Sequence, residues 1–113
     1  MTELSVSVEN GADGTVIVRL SGEADITTAR ALAETLSSPA AGNPALLVVD
    51  VSGLTFIDSA ALQVLVRTHR GLHSGGRRLA LVSPGPAVRR ILQLSGADKV
   101  IGVYASLADA VKQ

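Results

Sequence analysis

Asp58 and Ser59 stand together just ahead of a stretch in which Leu62, Leu65, Val66, His69 and Leu72 recur at helical spacing. Two chemistries are open to such a pair. Either residue can cap the helix, its side-chain oxygen accepting an orphan backbone N–H. The serine hydroxyl can also carry a phosphoryl group, because a phosphate at a helix start meets free N–H groups and the positive end of the dipole. That modification adds about −1.5 to −2 charges beside the aspartate. A double negative charge on an otherwise neutral, partly apolar surface would alter any interface built there, so the pair has the makings of a switch.

Other constellations offer less. His69 and His73 are four residues apart, a spacing that can hold a metal on one helix face, but no third ligand stands at a suitable distance. The expectation is solvated or interface histidines and no metal or other cofactor. Ser59 lacks the Gly-x-Ser-x-Gly setting of a hydrolase nucleophile, and only two histidines exist to serve as a base. Neither Ser83-Pro84-Gly85-Pro86 nor Gly71 to Gly76 is a phosphate-binding loop, since no Gly-Lys-Ser/Thr follows. The expectation is a protein that is not an enzyme.

The elements that must position the pair follow from the hydrophobic pattern. Leu4, Val6 and Val8, then Val16, Val18 and Leu20, alternate at period two around a turn-forming Asn10-Gly11-Ala12-Asp13-Gly14, which predicts a hairpin. Asp25 is the expected N-cap of a first helix carrying Ala29, Leu32, Ala33 and Leu36. Ser38-Pro39 and Gly42-Asn43-Pro44 should end it. Ala45 to Val51 reads as a central buried strand, followed by a short turn containing Gly53. After the Ser59 helix, closed at Gly75-Gly76, comes a strand over Leu79 to Val82. A third helix presents Val88, Ile91 and Leu92 inward and is capped by Gly96. A strand over Val100 to Tyr104 and a terminal helix opened by the capping box Ser106 to Asp109 complete the order. This β-β-α-β-α-β-α-β-α order predicts an α/β fold, a single domain over 1–113, with a mostly parallel sheet made mixed by its opening hairpin.

Composition narrows the function. Ten basic residues balance ten acidic ones, which argues against direct nucleic-acid binding. With Phe56 and Tyr104 the only aromatics, the core must be aliphatic. There is no cysteine, so disulfides and thiolate sites are excluded. No apolar run approaches the roughly 20 residues of a membrane span, and Met1 to Asn10 does not look like a signal peptide. The expected location is the cytoplasm. Arginines outnumber lysines eight to two and alanine and glycine are abundant, as in a high-GC bacterial source.

Two separated segments carry a family resemblance. Leu20-Ser21-Gly22-Glu23-Ala24-Asp25 and Val48-Val49-Asp50-Val51-Ser52-Gly53-Leu54-Thr55-Phe56-Ile57-Asp58-Ser59 resemble two motifs of the STAS domain, found in sulfate transporters and anti-sigma factor antagonists, and the element order agrees. The resemblance implies a mixed four- to five-stranded sheet with about four helices. It implies an antagonist that, unphosphorylated, binds an anti-sigma factor serine kinase and releases the sigma factor. Phosphorylation at Ser59 dissociates the complex, and a serine phosphatase restores it. ATP is bound by the partner. Asp25, Asp58, Ala60, Ala61 and Leu62 become the expected partner-binding residues. The alternative is a non-phosphorylated scaffold or a subunit of a transport or signalling complex. One departure stands out: the family pattern Asp-Ser-Ser/Thr-Gly-Leu is here Asp58-Ser59-Ala60-Ala61-Leu62. Alanine in place of glycine favours the helix by about 1 kcal/mol.

Overall fold

The aliphatic pattern closes into a five-stranded sheet in the order β1-β2-β3-β4-β5. The computed structural model describes residues 4–112; residues 1–3, where the signal-peptide reading begins, and residue 113 lie outside them. β1 (Leu4–Asn10) and β2 (Thr15–Ala24) form the expected antiparallel hairpin. β3 (Leu46–Ile57), β4 (Arg78–Val82) and β5 (Gly102–Tyr104) add in parallel. The connecting helices are α1 (Ala29–Ala41), α2 (Ser59–His73) and α3 (Pro86–Ser95), and α4 (Leu107–Val111) follows β5.

Alternation decides which helices cover which face. Val18, Leu20, Leu47, Val49, Val51, Leu79 and Leu81 point one way and form the main core with buried residues of α1, α2 and α3. Ile17, Leu46, Val48, Ala80 and Val82 point the other way, and the short α4, through Ala110 and Leu107, packs on them together with Tyr104. Arg78 ties α4 down by donating to the Ala110 carbonyl at 2.8 Å. Further along that open face Arg19 reaches Glu9 and Asp50, an ion-paired row across three strands. No helix among the described residues is long and apolar enough to cross a membrane.

Three local expectations need correction. Gly53 does not lie in a turn, because β3 continues to Ile57. Its twelve residues pair with ten of β2, and two irregularities, between Arg19 and Ser21 and between Gly22 and Glu23, absorb the extra two. Each bulge re-aims the chain, so Leu54 and Ile57 enter the main core behind Val51 while Thr55 and Phe56 turn outward. Gly22 sits at φ +103 beside the second bulge, a conformation that favours glycine. α1 runs through Pro39 to Ala41: in the final turn the ring forfeits one hydrogen bond and the helix ends two residues later. The last strand begins at Gly102 instead of Val100, because a 3-10 turn over Ala97–Lys99 precedes it. On α2, Val66 packs half-buried against the main core on the expected face. Gly96 does supply the left-handed cap, at φ +79, and Ser106 accepts from Asp109 N–H at 3.1 Å.

At Gly53 a Cβ would lie 2.7 Å from Ser21 Cβ and 2.9 Å from the Leu20 carbonyl oxygen, and backbone yields poorly. Gly53→Ala should therefore cost about 1–3 kcal/mol, read as a lowered urea midpoint with an unchanged slope.

Candidate functional site

The C-terminal ends of parallel strands share one rim of the sheet, and the loops leaving them gather there. Asp58 joins two of these loops. Its N–H donates to the Ala24 carbonyl at 3.0 Å. Its Oδ1 accepts from Ala61 N–H at 3.1 Å, making Asp58 and not Ser59 the N-cap of α2. Its Oδ2 accepts from Ile26 N–H at 3.0 Å, in the loop between β2 and α1. Thr55 adds a further stitch, donating its hydroxyl to the Gly22 carbonyl at 3.2 Å.

Asp25 therefore lies beside Asp58, bracketed by Ala24 and Ile26, both bonded to it. It is not the cap of α1; Thr28 holds that position. Asp25 instead closes the turn before the helix. Its Oδ1 accepts from the Thr27 hydroxyl at 2.6 Å and from the backbone N–H groups of Thr27 and Thr28 at 2.9 and 3.2 Å. Asp25 N–H in turn donates to the Thr28 hydroxyl oxygen at 2.9 Å. The Thr27 hydroxyl is the main reason the Asp25 carboxyl is held below its ordinary value, with backbone donors assisting against some desolvation. The turn displaces the helix start by three residues.

Ser59 occupies the first position of α2, exposed, and its hydroxyl has no hydrogen-bond partner among the described residues. Other hydroxyls nearby are committed, Thr55 to Gly22 and Ser83 to the Ala105 carbonyl. Ala60 is half-buried, but Ala61 is fully buried and Leu62 is 6% exposed. The Ala61 methyl thus belongs to the core, and a partner could meet only the edge of Leu62. Two apolar residues absent from the expected set flank the site: Ile26 is 76% exposed, and Phe56, the only phenylalanine, is 41% exposed. An isoleucine inside a turn-forming Asp-x-Thr-Thr run was the available signal for the first.

The histidines on α2 have a structural role. Their rings stack at 5.5 Å, and His69 Nδ1 accepts from Leu79 N–H at 3.2 Å, tying α2 to β4. Burial first, then the charges of His73, Arg70 and Arg78, push the His69 imidazole below its ordinary value of 6.5.

The STAS domain family model matches residues 8–110 of the chain. An anti-sigma-F factor antagonist of Mycobacterium tuberculosis, RsfB, is 32% identical over 99 residues, covering 88% of this chain and 80% of its own. A crystal structure of an anti-sigma factor antagonist from Mycobacterium paratuberculosis superimposes with a TM-score of 0.88 at 35% identity, over 97% of this chain and 92% of that one. The Bacillus anti-sigma factor antagonist SpoIIAA, in its unphosphorylated form, shares the fold at 24% identity, with a TM-score of 0.79 over 95% and 93% of the two chains.

Two measurements check these assignments. Asp58→Asn keeps one acceptor oxygen for two N–H donors, so it should lose about 1 kcal/mol, with faster amide exchange at Ile26 or Ala61 by NMR. For His69 the lowered folded value means that the unfolded state binds the extra proton first. Its contribution to stability is complete above about pH 6.5, declines below that, and is gone once the pH falls through the lowered folded value. His69→Gln, which can still accept from Leu79, should show a shallower loss of stability on acidification than the wild type in thermal melts.

Proposed function

Because the chain belongs to the STAS domain family, we propose that it is an anti-sigma factor antagonist whose switch is phosphorylation of Ser59. The free, exposed Ser59 hydroxyl at the first position of α2 carries this reading. Unphosphorylated, the rim binds an anti-sigma factor that is a serine kinase, and the sigma factor is released. The kinase supplies ATP. Ser59 Oγ attacks the γ-phosphorus, a new oxygen–phosphorus bond forms, the bond to ADP breaks, and the hydroxyl proton passes to a base of the kinase. Asp58 is an unsuitable base, because both its oxygens already accept backbone N–H groups. This chain is thus the substrate of the reaction and not its catalyst. A serine phosphatase resets the cycle, which runs in the bacterial cytoplasm.

The added charge explains release. Phosphoserine brings about −1.5 to −2 charges to a rim that already holds Asp25, Asp58 and Glu23. The helix N-terminus accepts the dianion, so the antagonist stays folded while a complementary interface is broken.

Incubation with ATP and the cognate kinase, followed by mass spectrometry, tests the proposal. Phosphate should appear on Ser59 and vanish in Ser59→Ala, which should keep the wild-type circular dichroism spectrum. Ser59→Asp should bind the kinase at least about tenfold more weakly by calorimetry. Phosphate retained in Ser59→Ala at the wild-type rate would overturn Ser59 as the acceptor, and no phosphate at all would favour a scaffold of the same fold.

A further inference from the structure

Ser59, Gln63, Arg67 and Arg70 follow one another along α2 at intervals of four, four and three residues, which places them on one stripe of the helix. Beside the stripe a groove of about 510 Å³ opens between α2 and the C-terminal end of α3 with its 3-10 turn. Ser59 stands at one end and Arg70 at the other. The apolar lining comes from Leu62, Val66, Ala97 and Val100, and Val100 is 42% exposed.

The charges along this groove are uncommitted. Arg67 donates only to Gln63 Oε1, at 3.3 Å, and among the described residues neither Arg67 nor Arg70 pairs with a carboxylate. Arg19 and Arg30, by contrast, are ion-paired within the chain. The α2 surface is therefore polarised, with the carboxylates of Asp25 and Asp58 at the Ser59 end and two free guanidinium groups further along.

We infer that this groove receives an acidic amphipathic helix of the kinase partner, its apolar face on Val66, Val100 and the edge of Leu62 and its carboxylates on Arg67 and Arg70. This assignment rests on the proposed function and adds the second half of the interface. Walls made of helices leave no free strand edge, so the helix-in-groove mode fits and strand addition does not. Eleven residues separate Ser59 from Arg70, about 17 Å of helix axis, which matches about three turns of a docked helix. Opposite charges at the two ends of the stripe fix the polarity with which the partner helix lies down.

The test uses the kinase that phosphorylates Ser59 and compares Arg67→Glu/Arg70→Glu with Lys112→Glu, a charge reversal at the C-cap of α4. The double variant should bind at least about tenfold more weakly, with a flatter dependence on salt, while Lys112→Glu binds as the wild type. Should the double reversal fail to fold, Arg67→Gln/Arg70→Gln carries the comparison, with a several-fold loss expected. Equal affinity of the wild type and the groove variant for a kinase that does phosphorylate Ser59 would overturn the groove assignment alone. Absence of any Ser59 kinase would overturn both proposals. A concentration-dependent dimer of the isolated chain, abolished by the double variant, would overturn the assignment in favour of a second copy in the groove.

Discussion

The side chain of Asp58 holds the candidate site together. One carboxylate caps α2 through Ala61 and also grips Ile26 in a loop 32 residues earlier in the chain, while the Asp58 N–H holds Ala24. A helix cap alone needs one acceptor; here the second oxygen ties the start of one helix to the approach of another. Ser59, Asp25, Ile26 and Phe56 therefore occupy fixed relative positions where the chain leaves β2 and β3 for the two helices. Two charge-assisted bonds from one carboxylate are stronger than neutral ones, and their loss would free the loop without unravelling the sheet.

The sheet brings Asp58 to that position through its irregularities. A regular β3 would keep Leu54 on the open face, opposite to Val51, and would leave the Asp58 end out of step with β2. Two bulges add two residues to β3, return Leu54 and Ile57 to the core and set Ala24 opposite Ile57. Gly53 makes the first bulge possible by letting the chain pass Ser21 and Leu20 at distances that no side chain allows. Core packing and site geometry are thus decided by the same few residues.

Period-two and helical patterns revealed the hairpin, β4, the inward face of α3 and the Ser106 cap, because each is a local feature with one dominant cause. The fold class and the element order were legible for that reason. Val51, Leu54 and Ile57 are buried at intervals of three, a spacing that breaks strand alternation, so β3 was cut short at its first bulge. Thr28 took the cap position from Asp25 because a turn bonded within Asp25 to Thr28 comes before the helix, and both residue types suit either role. At the site, the Asp58-Ser59 pair was visible as a helix start, but its division of labour was not. The bond to Ile26 spans two loops and leaves no trace in either local sequence. Burial of Ala61 likewise depends on which way α2 is rotated against the sheet.

The placement of Ser59 also decides what kind of switch a phosphate there can make. At the first position of α2 the modified side chain faces unpaired N–H groups and the positive end of the helix, an interaction worth about 0.3–1 kcal/mol. Repulsion from Asp58 opposes it, but both groups are partly solvated and the screening is strong. The balance within the antagonist is small, so the phosphate neither melts α2 nor needs to. At a docked interface water is excluded, and a like-charge pair at about 4 Å costs about 4 kcal/mol at the effective dielectric of a protein surface. A dianion at this spot thus spares the fold and penalises the complex. The buried Ala61 reinforces that division: its methyl anchors the first turn in the core, so the helix start cannot shift to accommodate the charge.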